Sequence, residues 1–299
     1  MELKQALGNT WYLEDWQLIP LYRTDEHHCI LLDSGLYEQR QDIEDTLSAA
    51  GIVPIGILGS HAHNDHSSNH RYFQQKYHIP VALSLGEAGL CVSPESLKSH
   101  FFMVSVREFM ANQRVSHMMV RADRIIQPEE REIDFCGVRF GIRPTPGHSV
   151  DPIAVSTPDG VLYLGDALLS GEELAGARFP YHFRFETAIQ TMLELKQEQA
   201  NLFLCAHKGV YPDLGDLPEQ NIQLIESRAE GICRLLEQPL DFSELSRRVC
   251  TIFRLRSRAK GAVALYERNI RSYLEYLLDT GRVESLVRDG GFYYQAVHQ

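Results

Sequence analysis

A chain of 299 residues, 44% apolar and 23% charged, has the makeup of a folded globular protein and can bury a sizeable core as one large domain or two. It holds no apolar run of about eighteen residues, so no transmembrane helix and no membrane partner are expected. The net charge of −11 is uneven: residues 240–299 carry ten Lys/Arg against seven Asp/Glu, and the acidic remainder is unsuited to non-specific binding of nucleic acid.

Met1-Glu2-Leu3-Lys4-Gln5 lacks the basic head and apolar stretch of a secretory signal. Cys29, Cys91, Cys136, Cys205, Cys233 and Cys250 are scattered without a C-x-x-C pair, which suits buried thiols in a reducing compartment. A cytoplasmic protein is the expectation.

Residues 11–21 and 28–33 read as strands separated by the polar turn Thr24-Asp25-Glu26, and Asp42–Ala50 as a surface helix closed by Gly51. A strand at 55–60 leads into Ser60-His61-Ala62-His63-Asn64-Asp65-His66. Neutral imidazole and carboxylate are the ligands that Zn²⁺, Mn²⁺ or Fe take. In extended chain, residues two apart point the same way, so His61 and His63 can grip one ion, while Asp65 and His66 follow where a helix begins. The bland alternative is a His-rich polar loop. A helix bearing Tyr72, Phe73 and Tyr77 and a strand at 80–84 continue the α/β alternation.

Residues 94–120 interrupt that rhythm with Leu97, Phe101, Phe102, Met103, Val106, Phe109 and Met110, spaced as an amphipathic helix or pair of helices. Core packing is the favoured reading, an apolar lid the other. Strands then recur at 124–126, 132–135, 138–142, 153–156 and 161–164, with hairpin turns at Cys136-Gly137 and Asp159-Gly160. A helix at 186–199, a strand at 202–206 and a long helix at about 218–237 close a first unit, residues 1–238.

Residues 239–299 read as a second module: a helix started by Asp241 or Ser243, a helix at 263–280, and a hairpin of 283–287 with 292–297. Its basic cluster, Arg247, Arg248, Arg254, Arg256, Arg258 and Lys260, reads first as a solvated face or homodimer contact. Docking of nucleic-acid phosphates is the sharper alternative.

His-x-His-x-Asp-His, followed in order by Pro146-Gly147-His148, Leu164-Gly165-Asp166 and Ala206-His207, resembles the signature of the metallo-β-lactamase-fold hydrolases over residues 10–235. The resemblance implies an αββα sandwich, here with a helical insertion and a winged-helix-like C-terminal module such as some relatives carry. It assigns His61, His63 and His148 to one divalent ion, most simply Zn²⁺, and Asp65, His66 and His207 to a second, with Asp166 bridging. It further implies a metal-bound hydroxide, oriented by Asp65, that attacks a small ester, thioester, lactone or amide. A phosphodiesterase or nuclease holding nucleic acid through the C-terminal module is the alternative, and a ligand-sensing or partner-binding scaffold the third reading. Leu32-Asp33-Ser34-Gly35 also matches a family feature, and Asp33 is either an acceptor that fixes a ligand histidine's tautomer or a turn cap. Flavodiiron relatives carry Glu where this chain has His63, which disfavours redox chemistry. Ser67-Ser68-Asn69 and Cys205-Ala206-His207 depart from the Gly-rich and Pro-Gly-His texts of many relatives. Arg178, Tyr181 and His182, in the loop after Asp166, are candidate contacts to a small-molecule substrate or proton donors. His27, His28, His70, His78, His100, His117 and His298 read as surface or packing residues.

Overall fold

A computed structural model describes residues 1–101 and 105–297. Phe102, Met103 and His298 therefore lie outside the described residues, as do the side chains of Phe101 and Phe109. Two sheets face each other between helical layers. The first has seven strands in chain order: β1 (Glu2–Leu7), β2 (Thr10–Glu14), β3 (Leu18–Arg23), β4 (His28–Leu32), β5 (Val53–Leu58), β6 (Val81–Ser84) and β7 (Arg124–Ile126). The strands from β1 to β4 form an antiparallel meander, and those from β4 to β7 run parallel.

The second sheet contains β8 (Glu132–Phe135), β9 (Val138–Pro144), β10 (Ile153–Ser156), β11 (Val161–Tyr163), β12 (Leu202–Cys205) and β13 (Gly209–Tyr211), in the order β13-β12-β11-β10-β9-β8. Only its β11–β12 pair is parallel.

Strand alternation sorts the core into layers. Tyr12, Leu18, Ile30, Leu32 and Leu58 point inward and meet Phe140, Ile142, Val155, Tyr163 and Leu204 of the opposite sheet. Their neighbours Leu13, Ile19, Leu31, Ile57 and Val81 point outward, onto Ile43, Leu47, Phe73 and Leu97 of the first helical layer. On the far side Leu162, Phe203 and Cys205 pack under the helices Phe185–Leu195 and Leu217–Leu235. The αββα sandwich expected from the sequence is the observed fold.

Details differ. Residues 11–21 are not one strand: Asp15-Trp16-Gln17 turns β2 back into β3, and Asp15 N–H donates to Gln17 O across 3.0 Å. Strand β1 was not expected, because an edge strand that is largely solvent-facing lacks a clean apolar alternation. The insertion forms the helices Pro94–Phe101, Val106–Ala111 and Gln113–Ser116. Leu97 is fully buried in the first core layer, with Met110 and Val115 against it, which is the packing role.

C-terminally, helices Phe242–Ile252 and Lys260–Asp279 precede a small sheet of β14 (Leu240–Asp241), β15 (Val283–Arg288) and β16 (Gly291–Ala296), ordered β14-β16-β15. Asp241 caps the first of these helices by accepting from Glu244 N–H at 2.8 Å. Among the described residues the module shares its core with the first unit: Leu245, Val249, Ile270, Tyr273 and Leu277 join the cluster containing Met192, Ile225 and Ile232. The Phe185 and Tyr273 ring centroids lie 3.9 Å apart. Among the described residues, no helix is long and apolar enough to cross a membrane.

Candidate metal centre

The loops that follow β5, β9, β11 and β12 open at the same end of the sandwich, and each carries ligand-type side chains there. After β5 the chain stays extended through His63 (φ −86°, ψ 155°), then enters the short helix Asn64–Ser67, which turns Asp65 and His66 toward the same point. Gly147 lets the His148 loop lie against the helix Phe185–Leu195. At φ +130°, a Cβ there would fall 2.5 Å from Ala188 N, so only glycine fits.

Two groups of donor atoms result. His61, His63, His148 and Asp166 offer four atoms within 4.8 Å of one another, and Asp65, His66, Asp166 and His207 offer four more. His63 Nδ1 lies 3.1 Å from His61 Nε2 and 2.9 Å from His148 Nε2. Asp166 faces both groups. Its Oδ2 is 3.2 Å from His148 Nε2 and 3.9 Å from His61 Nε2, and its Oδ1 is 3.3 Å from His66 Nε2 and 3.4 Å from His207 Nε2. Asp65 Oδ2 completes the second group at 3.5 Å from His207 Nε2 and 3.7 Å from His66 Nε2.

Protonation favours cation binding at the first group. Burial, reinforced by neighbouring imidazoles, holds His61 and His63 well below the ordinary histidine range, so both keep lone pairs at neutral pH. Burial works against the charge of Asp166, but His66, His207 and His148 outweigh it and keep the carboxylate ionised. Burial likewise opposes a proton on His66, yet Asp166, Asp65 and Asp33 hold one there, which a cation would displace. His66 Nε2 and Asp166 Oδ1 are buried and make no hydrogen bond among the described residues, a combination that a bound cation satisfies.

Behind these donors the ring nitrogens are fixed. His66 Nδ1–H donates to Asp33 Oδ2 at 2.8 Å, which turns Nε2 toward the centre. Ser60 Oγ donates to Asp33 at 2.6 Å and accepts from His61 Nδ1–H at 3.0 Å, with the same effect. Asp33, His61 and His66 also lie close enough together to suggest a third cation group, but the oxygens of Asp33 are already engaged by Ser60, His66 and Tyr163. Glu87, absent from the sequence reading, is fully buried and accepts from Ala62 N–H and Asp151 N–H at 2.8 Å each, clamping the His61–His63 segment to the turn after His148. Replacing Glu87 by Ala leaves two buried donors unsatisfied. We expect a loss of about 2–4 kcal/mol in thermal unfolding and metal held ~10-fold or more weakly in chelator competition. Glu87→Gln, which keeps one acceptor oxygen, should lose less in both measurements.

The centre opens into a cavity of about 300 Å³ lined by His63, Asp65, Tyr181, Tyr266, Arg268 and Asn269 among others. Of the three substrate-contact candidates, Tyr181 is on this wall. His182 packs behind His148, ring centroids 5.5 Å apart, and is buried. Arg178 is not on that wall: it faces outward and donates to Arg254 O at 3.0 Å beside Arg228, because the loop's buried side is taken by Phe179 and Pro180. His100, taken as a packing residue, is buried with its ring 6.1 Å from that of His63. No sequence signal singles out Arg268, which is buried on the helix Lys260–Asp279 while Leu265, one turn earlier, is exposed. Within the basic cluster, Arg247 and Arg248 both pair with Glu244, and Lys260 with Glu108.

The superfamily profile for metallo-beta-lactamases matches residues 19–207, a span that includes all seven ligand-type side chains. The chain belongs to the metallo-beta-lactamase superfamily. A metallo-beta-lactamase family protein from Thermus thermophilus is similar in structure, with TM-score 0.71 at 20% identity over 94% of each chain. A beta-lactamase domain protein from Burkholderia ambifaria gives TM-score 0.75 at 14% identity over 99% of this chain and 94% of its own. The native metallo-beta-lactamase from Legionella gormanii gives 0.54 at 15%, covering 93% and 96%. At these identities the likeness is one of fold. No curated protein matches the chain.

Proposed function

We propose that the protein is a dinuclear metal-dependent hydrolase acting on a small ester, thioester, lactone or amide. The observation that carries this reading is the pair of four-donor groups sharing Asp166 at the floor of one cavity. Nitrogen and carboxylate donors without thiolate suit Zn²⁺, with Mn²⁺ or Fe as substitutes. When bound, such cations bring the pKa of a water near neutrality and polarise the electrophile.

The chain's own residues supply the rest. Asp65, in the cavity wall, both contributes to the second group and is placed to accept and orient a proton. Burial pushes Tyr181 up to about 12, so its hydroxyl stays protonated and can donate to an oxyanion forming in the cavity. Apolar and aromatic lining from Phe179, Leu265 and Tyr266 suits a compact organic substrate. Three of the six cations of the basic cluster are held in ion pairs, to Glu244 and Glu108, which favours this reading over a nuclease.

The test is a panel of a lactone, a thioester, a β-lactam and a phosphodiester, run on protein of measured metal content before and after chelation. Turnover of one of the first three that is lost on chelation and restored by Zn²⁺ is expected. Phosphodiester turnover alone, or turnover indifferent to chelation, would overturn the reading.

A further inference from the structure

The helix Lys260–Asp279 has a second job besides closing the core. Its residues Leu265, Tyr266, Arg268 and Asn269 form the wall of the metal cavity opposite the ligand loops, so the cavity is built jointly by the sandwich and the C-terminal module. Arg268 is 8% exposed, and among the described residues it is the single cationic side chain on that wall. Its guanidinium lies 4.1 Å from the centroid of Tyr181, and the Tyr181 ring is 5.7 Å from that of His63 and 5.6 Å from that of His148. The Tyr181 ring thus contacts both the guanidinium and the imidazoles of the first donor group.

Two further polar atoms flank the guanidinium. Tyr181 Oη and Asn269 Oδ1 are buried without a hydrogen-bond partner among the described residues, while Asn269 Nδ2 is tied to Pro180 O at 2.9 Å. Arg268 Nη1 donates to His100 O at 3.4 Å, which holds the group in place, and a guanidinium in a half-enclosed cavity attracts an anion far more strongly than one in water. Resting on the hydrolase reading above, we propose that Arg268 is a specificity residue: the substrate carries a carboxylate away from its scissile bond, and Arg268 receives it beside the His61–His63–His148 group. The cavity of about 300 Å³ suits a compact organic molecule.

The test uses the metal-loaded full chain and two probes, glutarate and its half-amide glutaramate, which differ in one carboxylate. Calorimetric binding should favour glutarate by ~10-fold in the wild type. Arg268→Met should abolish the preference with metal content unchanged, and Arg268→Lys should keep part of it. A wild type that does not discriminate between the probes, or binds neither, overturns the proposal whatever the variants do, and so does a preference that survives in Arg268→Met. Metal content and ester turnover of the same wild-type sample separate the two ideas. Metal and turnover without an anion preference sink the Arg268 assignment alone, whereas absence of metal and turnover sinks the hydrolase reading.

Discussion

Asp166→Ala should empty both donor groups at once and reduce kcat/KM by at least ~10³-fold. Each of the other six ligand-type residues belongs to one group, but Asp166 presents one oxygen to each. Its removal leaves three imidazoles facing one another at one group, and two imidazoles with a single carboxylate at the other. Without that carboxylate, the attraction that holds a dication in a buried, imidazole-rich pocket is greatly reduced. The His66 proton sustained by Asp166 would also lose its main electrostatic support. Elemental analysis after gel filtration should show metal content falling together with activity. His63→Ala provides the contrast, since it strips one ligand from the first group only and should leave the second group able to hold an ion. Full metal content and undiminished turnover in Asp166→Ala would defeat the assignment of the centre.

The ligand loops were legible in the sequence because their residue types have no packing reason to be there. Imidazoles and carboxylates at the ends of apolar strands serve no core, and the spacing His61-x-His63-x-Asp65-His66 already determines which side chains can converge. The sandwich was legible for a similar reason, since β5 and β12 are short apolar runs ending in those loops. The cavity's other wall was not. Leu265, Arg268 and Asn269 reach the centre through the docking of one helix on another layer, a tertiary fact that helical periodicity does not encode. In sequence, Arg268 looks like any charge on a helix that begins beside a basic cluster. Glu87 was hidden for a different reason: its partners are the backbone amides of Ala62 and Asp151, and amides carry no sequence signature. Asp33 stood between two readings, and the structure gives it more partners than either required.

Those partners make Asp33 the position where stability and metal retention should fail together. Its oxygens accept from Ser60 N–H at 2.7 Å, Ser60 Oγ at 2.6 Å, Tyr163 Oη at 2.6 Å and His66 Nδ1 at 2.8 Å, and the side chain is 1% exposed. Burial alone would raise its pKa, but His66 and His61 together with these hydrogen bonds hold the carboxyl below its ordinary range. A depressed carboxyl adds stability that is fully present above its unfolded-state pKa of about 3.9 and is lost as the pH falls toward the folded value. Asp33→Ala orphans four buried donors and should cost about 3–5 kcal/mol. Asp33→Asn fits the left-handed backbone at φ 70°, which asparagine tolerates, but turns an amide N–H₂ toward groups that are themselves donors. It should keep the fold and still hold metal ~10–100-fold less tightly, because His66 loses the acceptor that fixes its tautomer. Chemical denaturation from pH 3 to pH 7 should show the stability gap between wild type and Asp33→Asn narrowing at the acid end. A gap that stays constant across that range, with metal affinity unchanged, would mean that Asp33 serves only to cap the turn after β4.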